Sequence, residues 1–369
     1  MLFTYYKGGS EVGYRSLAAA LTNRCGKNNY TKILNMRVLW TTNEDPLKKN
    51  SLVFLHSSME GLKSHGIEVQ LECIGSLKSP FALRRAHRHI RSMSDSFDIV
   101  HSQYGSACGL VTSLSTNKNK IITLRGSDWP ASLSGDIKSK SHNLAAGVMT
   151  ALSLCGYNKV ITVSNRMADS IRRLYFAPPV TVLPSAINLD RFQIMNRQDA
   201  RNAIGEGSDQ RPWILFTSLL INNPVKRFQL AYEAFKIVNM RCGGTLRLKI
   251  LSDIPHAMVP LHIAACDVIL CTSKSEGWPN SVKEAMACGL PFVATDVSDL
   301  QEISLTVPLC TVRKATPIDL SNGLFEILRR TNSRLLNGPI IRRAVESMGT
   351  ATSAAVLAKL YRSQINSTV

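Results

Sequence analysis

Two glutamates, Glu276 and Glu284, stand eight positions apart in the stretch SKSEGWPNSVKEAMACGLPFVATDVSDLQE, Ser273 to Glu302. Between them, GWPNS carries the glycine, proline and asparagine of a tight turn. The run VKEAMAC is rich in helix formers, and Gly289 with Pro291 supplies a C-cap glycine and a breaker. PFVAT then reads as a short buried strand. The order is strand, turn, helix, strand, with Glu284 inside the helix. Asn280 or Ser281 is the predicted N-cap, and the first N–H groups of the helix are left free. Such a helix start attracts an anion, commonly a phosphate or pyrophosphate. Glu284 lies one helical turn from Asn280, so its carboxylate can face the same side. A carboxylate beside a bound phosphate commonly accepts hydrogen bonds from sugar hydroxyls. A plain surface helix with two solvated acids would not explain why Gly277, Pro279, Asn280 and Gly289 punctuate where a phosphate-cradling turn needs them.

The segment resembles the signature of retaining glycosyltransferases of family 4. That pattern is a glutamate, seven residues, a second glutamate, AMACGLP and a strand ending in TDV, matched here by Glu276, Glu284, Ala285 to Pro291 and Thr295 to Val297. A match of that length is far more specific than a lone glycine motif. The resemblance runs from about Met36 to the end and is strongest from Pro212 to Glu302. It implies an α/β protein of the GT-B fold: two Rossmann-like domains facing across a cleft, with a C-terminal helix crossing back to the N-terminal domain. The implied reaction is glycosyl transfer from a nucleoside diphosphate sugar with retention, using no cofactor and no metal. The implied acceptor is a glycan or lipid-linked precursor in cell-surface polysaccharide synthesis. Two alternatives stay open: a sugar-nucleotide epimerase of the same fold, and a non-catalytic nucleotide-sugar-binding relative.

The bulk properties agree with a two-domain globular chain. Its 369 residues leave room for two cores. No apolar run reaches the roughly eighteen residues of a membrane span, and the N-terminus lacks the pattern of an export signal. Nine scattered cysteines without a C-x-x-C pair fit a reducing cytoplasm better than a disulfide framework or a zinc site. Cys266, Cys271 and Cys288 sit in apolar runs and read as small core residues. With 44 basic and 26 acidic residues the net charge is +18, which suits nucleic acid, an anionic membrane or phosphorylated substrates. No nucleic-acid module is present, so the partners expected are a nucleotide sugar and an anionic membrane surface. FALRRAHRHIRSM, Phe81 to Met93, predicts a basic amphipathic helix with Arg84, Arg85, Arg88 and Arg91 around an apolar face of Phe81, Ala82, Ala86, Ile90 and Met93. Such helices lie on membrane surfaces, and many merely solvated ones look alike. The expected location is cytoplasmic, peripheral on the inner membrane face.

The elements that must position the signature follow in order. Residues 1–35 lack a strand-helix rhythm and read as a weakly ordered extension. An N-terminal acceptor domain is expected over 36–190, a nucleotide-sugar domain over 191–350, and a returning helix over 351–369. Predicted N-terminal strands are Arg37 to Thr42, Ile67 to Ile74, Asp98 to Ser102, Lys120 to Leu124, Lys159 to Val163 and Val180 to Leu183. Strands alternating with helices imply parallel sheets, whose ligands bind beyond the carboxyl ends of the strands.

The residues following those ends are the candidates. Lys49, Asn50 and Ser51 stand after the first strand, where the family usually has glycines. HSQYGSACG matches the family's H-x-x-Y-G and implies an acceptor side at His101, Tyr104 and Gly105; a hydrogen-bonded histidine at a strand end is an equal reading of His101. TLRGSDW places Arg125 and Asp128 where many relatives have His-Gly-x-Asp, and an arginine cannot accept a proton but can bind a phosphate or carboxylate. Ser185 and Ala186 replace the family's Asn-Gly at the interdomain joint. Lys226 and Arg227, at a predicted helix start, stand where the family holds the donor pyrophosphate; Arg227 is expected to compensate for an arginine absent from Ser218 to Leu220. The implied donor site is Lys226, Arg227, Glu276, Gly277, Trp278, Pro279, Asn280, Ser281, Val282 and Glu284. Glu276, Lys226 and Arg125 are the expected catalytic groups, and Ser252 to Ile254 the expected base contacts.

Overall fold

A computed structural model describes residues 36–44, 52–129, 137–330 and 334–367. The predicted extension over 1–35 and the loop residues Lys49, Asn50 and Ser51 lie outside the described residues. The first sheet contains β1 (Met36–Thr42), β2 (Ile67–Cys73), β3 (Ile99–Ser102), β4 (Lys120–Leu124), β5 (Lys159–Thr162) and β6 (Val180–Val182). All are parallel, in the order β2-β1-β3-β4-β5-β6. The second sheet contains β7 (Trp213–Thr217), β8 (Arg247–Leu251), β9 (Val268–Cys271), β10 (Phe292–Ala294) and β11 (Thr311–Val312). It is also parallel, in the order β8-β7-β9-β10-β11. Each predicted N-terminal strand is present, with its ends within one residue of expectation.

Both sheets follow one plan. The second strand in sequence lies outside the first, and the third lies on the other side of the first. Strand order therefore reverses between β1 and β3 and again between β7 and β9, and a crevice opens at the carboxyl ends there. The strands beside those points, β3 and β9, are buried along their whole length, as sheets covered on both faces require. One apolar cluster includes residues of the first sheet (Leu124, Val160) and of the second (Trp213, Ile269), so the two sheets share a core.

The C-terminal helix Thr350–Asn366 returns to the first sheet, where Leu357, Ala358 and Tyr361 pack with Met36, Trp40 and Leu55. A buried polar chain locks it there. Trp40 Nε1 donates to the Tyr361 hydroxyl at 2.8 Å. Indole N–H can only donate, so that hydroxyl must give its own proton to His101 Nδ1, 2.6 Å away. The His101 proton then sits on Nε2 and reaches Thr123 Oγ1 at 2.7 Å. The chain joins β1, β3 and β4 to the last helix.

The basic stretch forms the helix Pro80–Ser94, capped by Ser79, whose hydroxyl accepts from the Ala82 N–H at 3.2 Å. Its apolar face differs from expectation. Ala86 and Ile90 pack on Val111, Leu77 and Leu83 inside the domain, whereas Phe81 is 76% exposed. The stripe expected to enter a membrane is used for folding, which leaves Arg84, Arg85, Arg88 and Arg91 as an exposed rim. Among the described residues no helix is long and apolar enough to cross a membrane.

Tyr361→Phe strips Trp40 and His101 of a buried partner, a change that costs about 1–3 kcal/mol per unsatisfied group. Thermal unfolding of the variant is expected to show a Tm lower by several degrees; an unchanged Tm would contradict the lock.

Candidate active site

The signature folds around its punctuation. Asn280–Ala287 is a helix, and Gly289, at φ +71°, ends it in the left-handed region that favours glycine. The Gly289 N–H donates to the Met286 carbonyl and the Leu290 N–H to the Ala285 carbonyl, each at 2.9 Å. That pair of bonds is a Schellman motif. The start lies one residue earlier than expected. Pro279 takes the cap position and its carbonyl accepts from Val282 and Lys283 at 3.1 Å, so Asn280 is the first helical residue and not a side-chain cap.

Lys226 reaches this segment because two loops zip together. The Lys274 N–H donates to the Val225 carbonyl at 2.8 Å, and Thr272 Oγ1 to the Lys226 carbonyl at 2.7 Å. Lys226 Nζ then pairs with Glu276 Oε1 at 2.5 Å. Burial pulls the lysine pKa down, but the charge and hydrogen bond of Glu276 outweigh it and leave the pKa above its usual value. Lys226 therefore stays cationic. Arg227 departs from expectation: it precedes the helix Phe228–Arg241, and its guanidinium donates to the carbonyls of Thr272 (2.6 Å) and Ser273 (2.9 Å). It braces the loop that carries Glu276 and does not line the cleft. Carbonyls just past the end of β9 draw it there.

On the facing wall, Arg125 follows β4. Nε donates to the Gln103 carbonyl (3.0 Å), one terminal nitrogen to Gln103 Oε1 (2.6 Å) and the other to Ser185 Oγ (2.8 Å). Phe54 lies 4.4 Å from the guanidinium carbon and Tyr104 5.7 Å. Its loop meets the signature backbone to backbone. A Cβ on Gly126 would strike the Gly277 nitrogen, and one on Gly277 would strike the Arg125 carbonyl. Only two glycines permit that approach, which places Arg125 beside Glu276.

Three expected acceptor residues lie elsewhere. His101 is 1% exposed, and burial followed by the charge of Arg125 pulls its pKa to about 3. With both nitrogens committed it is a core histidine. Asp128 is buried and accepts from the N–H groups of Gly105 (2.8 Å), Arg125 (2.9 Å) and Gly126 (2.8 Å), so it holds the loop in shape. Gly105, whose Cβ would strike Thr150, permits close packing and stays out of the cleft. Tyr104 does line it, with its hydroxyl donated to Glu44.

The cleft between the walls holds about 490 Å³. It gathers Lys226, Glu276, Trp278, Asn280, Ser281 and Glu284 from one domain and Arg125 and Tyr104 from the other. Gly277, Pro279 and Val282 shape the segment from behind, and Ser252, Asp253 and Ile254 line the expected base region. Two further groups were not singled out from sequence. Arg191 donates to His256 Nδ1 at 2.7 Å, which fixes the histidine proton on Nε2, 3.8 Å from Glu284 Oε1. Lys283 is 1% exposed, bonds the Ser185 carbonyl and lies 5.4 Å from the Trp278 ring. Burial lowers its pKa to about 7, with Glu284 acting against the shift and Arg125 with it. Its signal was a lysine beside Val282 and just ahead of the apolar run Ala285, Met286 and Ala287 of the signature helix.

Comparison with known proteins agrees with this architecture. The model described as Glycosyltransferase Family 4 matches residues 39–191, and that described as Glycosyl transferases group 1 matches residues 211–329. The putative teichuronic acid biosynthesis glycosyltransferase TuaC of Bacillus subtilis is 24% identical over 224 residues, 56% of this chain and 55% of its own. The chain spans about half the length of the curated relatives it matches. Sucrose-phosphate synthase from Thermosynechococcus elongatus superposes with a TM-score of 0.72 at 16% identity, over 90% of this chain and all of that one. Anabaena HepE, solved with UDP and glucose, gives 0.68 at 16% identity, over 89% of this chain and all of that one.

Lys283 has a testable signature. Its folded pKa of about 7 lies below the unfolded value of 10.5, so the unfolded state binds more protons between them. The stability penalty is complete below pH 7 and fades as pH rises toward 10.5. Lys283→Met is therefore expected to raise Tm more at pH 6 than at pH 9; an equal gain at both would contradict the assignment.

Proposed function

We propose that this chain, whose two domains match models described as Glycosyltransferase Family 4 and Glycosyl transferases group 1, performs a retaining transfer of a glycosyl group from a nucleoside diphosphate sugar to a glycan or lipid-linked acceptor. The observation that carries this reading is the convergence of Lys226, Glu276, Glu284 and the start of the Asn280–Ala287 helix on one interdomain cleft. Lys226 and the N–H groups at that helix start suit the departing diphosphate, where negative charge develops. Glu284 suits the ribose hydroxyls. Lys226 binds Glu276 through one carboxylate oxygen, so the other can accept from hydroxyls of the transferred sugar. No protein nucleophile is assigned: the leaving phosphate takes the acceptor proton on the face where the sugar departs, so configuration is kept. The N-terminal wall, with Tyr104 and Arg125, is the proposed acceptor side. Likeness to a protein named for teichuronic acid biosynthesis supports an acceptor in polysaccharide synthesis.

The test is thermal unfolding against UDP, GDP, ADP and dTDP and their sugars without added metal, beginning with UDP because HepE was solved with it. A ligand at 100 times its Kd adds about 2.7 kcal/mol to stability. A Tm rise of several degrees is expected with one base, abolished by Lys226→Ala and Glu284→Ala. Glu276→Ala is expected to lower kcat by about 100-fold, as loss of an electrostatic contact to a reacting group does. A flat panel, or a rise untouched by the substitutions, would overturn the reading.

A further inference from the structure

The N-terminal wall carries a cation, Arg125, that no carboxylate among the described residues engages directly. The three hydrogen bonds of Arg125 all go to neutral acceptors on Gln103 and Ser185, which leaves part of its donor fork unspent. The nearby carboxylates that favour its charge, Asp128 and Glu44, are committed elsewhere. Asp128 serves backbone N–H groups and Glu44 the Tyr104 hydroxyl. Lys283 brings a second donor to the same place, bonded to the carbonyl of the same Ser185. Gln103 adds a buried Nε2 that has no acceptor. Arg125 and Lys283 thus bring donors to one serine, with Gln103 behind Arg125, and no opposing charge among the described residues is in contact. A guanidinium and a buried amine placed so close are both favoured by an anion of the right shape.

The position of Arg125 narrows what that anion is. The diphosphate belongs, by its chemistry, on the opposite wall with Lys226 and the helix start. Arg125 lines the other wall of the same cleft, with its carbonyl against Gly277, the residue after Glu276. On the reading above, in which Glu276 takes hydroxyls of the transferred sugar, that is the sugar end of the cleft. A guanidinium fork with one face stacked on Phe54 matches a planar carboxylate or a phosphate far better than a neutral hydroxyl.

We propose that a sugar bound in this cleft carries an anionic substituent, a carboxylate or a phosphate, that docks on Arg125; this rests on the nucleotide-sugar reading above. The group sits on the transferred sugar or on the acceptor, and the two sources differ in when they bind. Titration calorimetry on the full chain separates them. The donor arm uses UDP, UDP-glucose and UDP-glucuronate. The acceptor arm uses methyl glucoside, methyl glucuronide and glucose 6-phosphate, each with UDP present.

In one arm the anionic member is expected to bind about 10-fold or more tighter than its neutral counterpart, the scale of a charge-assisted hydrogen bond. In Arg125→Gln that ratio is expected to fall toward 1, while Arg125→Lys retains part of it and reports on folding. Preference in the donor arm assigns the anion to the transferred sugar; preference in the acceptor arm assigns it to the acceptor. UDP binding with equal affinity for neutral and anionic members in both arms overturns the inference and leaves the functional reading standing. So does an equal loss of bare UDP and UDP-glucuronate in Arg125→Gln, which would mean that the guanidinium serves the diphosphate. Absence of binding by every nucleotide overturns both.

Discussion

The site depends on two loops from different domains meeting backbone to backbone, Gly126 against Gly277. Any side chain at either position would separate them. That approach puts Arg125, fixed at the end of β4 by Asp128, next to Glu276, fixed at the end of β9 by Lys226 and Arg227. Further contacts hold the same closed arrangement. Asp299 of the second domain accepts from the N–H groups of Asn165 (2.8 Å) and Arg166 (3.1 Å) at the start of a helix in the first. Carboxylates are favourable at that position, where helix N–H groups are unsatisfied. Arg166 returns a contact to Asp296 at 2.6 Å. The cleft is thus defined by a rigid relation between domains as much as by the residues lining it.

Within that frame the charges are sorted by what already satisfies them. Lys226 has a carboxylate partner and remains charged, and the pair also keeps Glu276 available as an acceptor. Arg227 is consumed by carbonyls, so a cation adjacent in sequence contributes only by holding the loop. Arg125 has neutral partners, and Lys283 is cationic only at the cost of burial.

Much of this was legible in the sequence. The parallel sheets followed from alternating apolar strands and helices, and the turn-helix-strand signature from Gly277, Gly289 and Pro291. The convergence of Glu276, Glu284 and Lys226 followed from a family pattern. What sequence could not give was the direction of individual side chains. His101 and Asp128 sit at strand ends, where ligands usually bind, yet buried hydrogen bonds turn both inward. The helix Pro80–Ser94 has an amphipathic pattern suited to a membrane, but the same pattern suits a domain surface, and its apolar stripe went to the core. Arg191, His256 and Lys283 lie far apart in the chain and line one cleft only in the folded protein.

The most direct measurement is a crystal structure of the full chain with the nucleoside diphosphate that raises its Tm. The diphosphate should lie within hydrogen-bond distance of Lys226 Nζ and the N–H groups of Asn280 and Ser281, with the ribose on Glu284 and the base toward Ser252 to Ile254. A nucleotide bound outside this cleft, or in it with Lys226 and Glu284 untouched, would contradict the account.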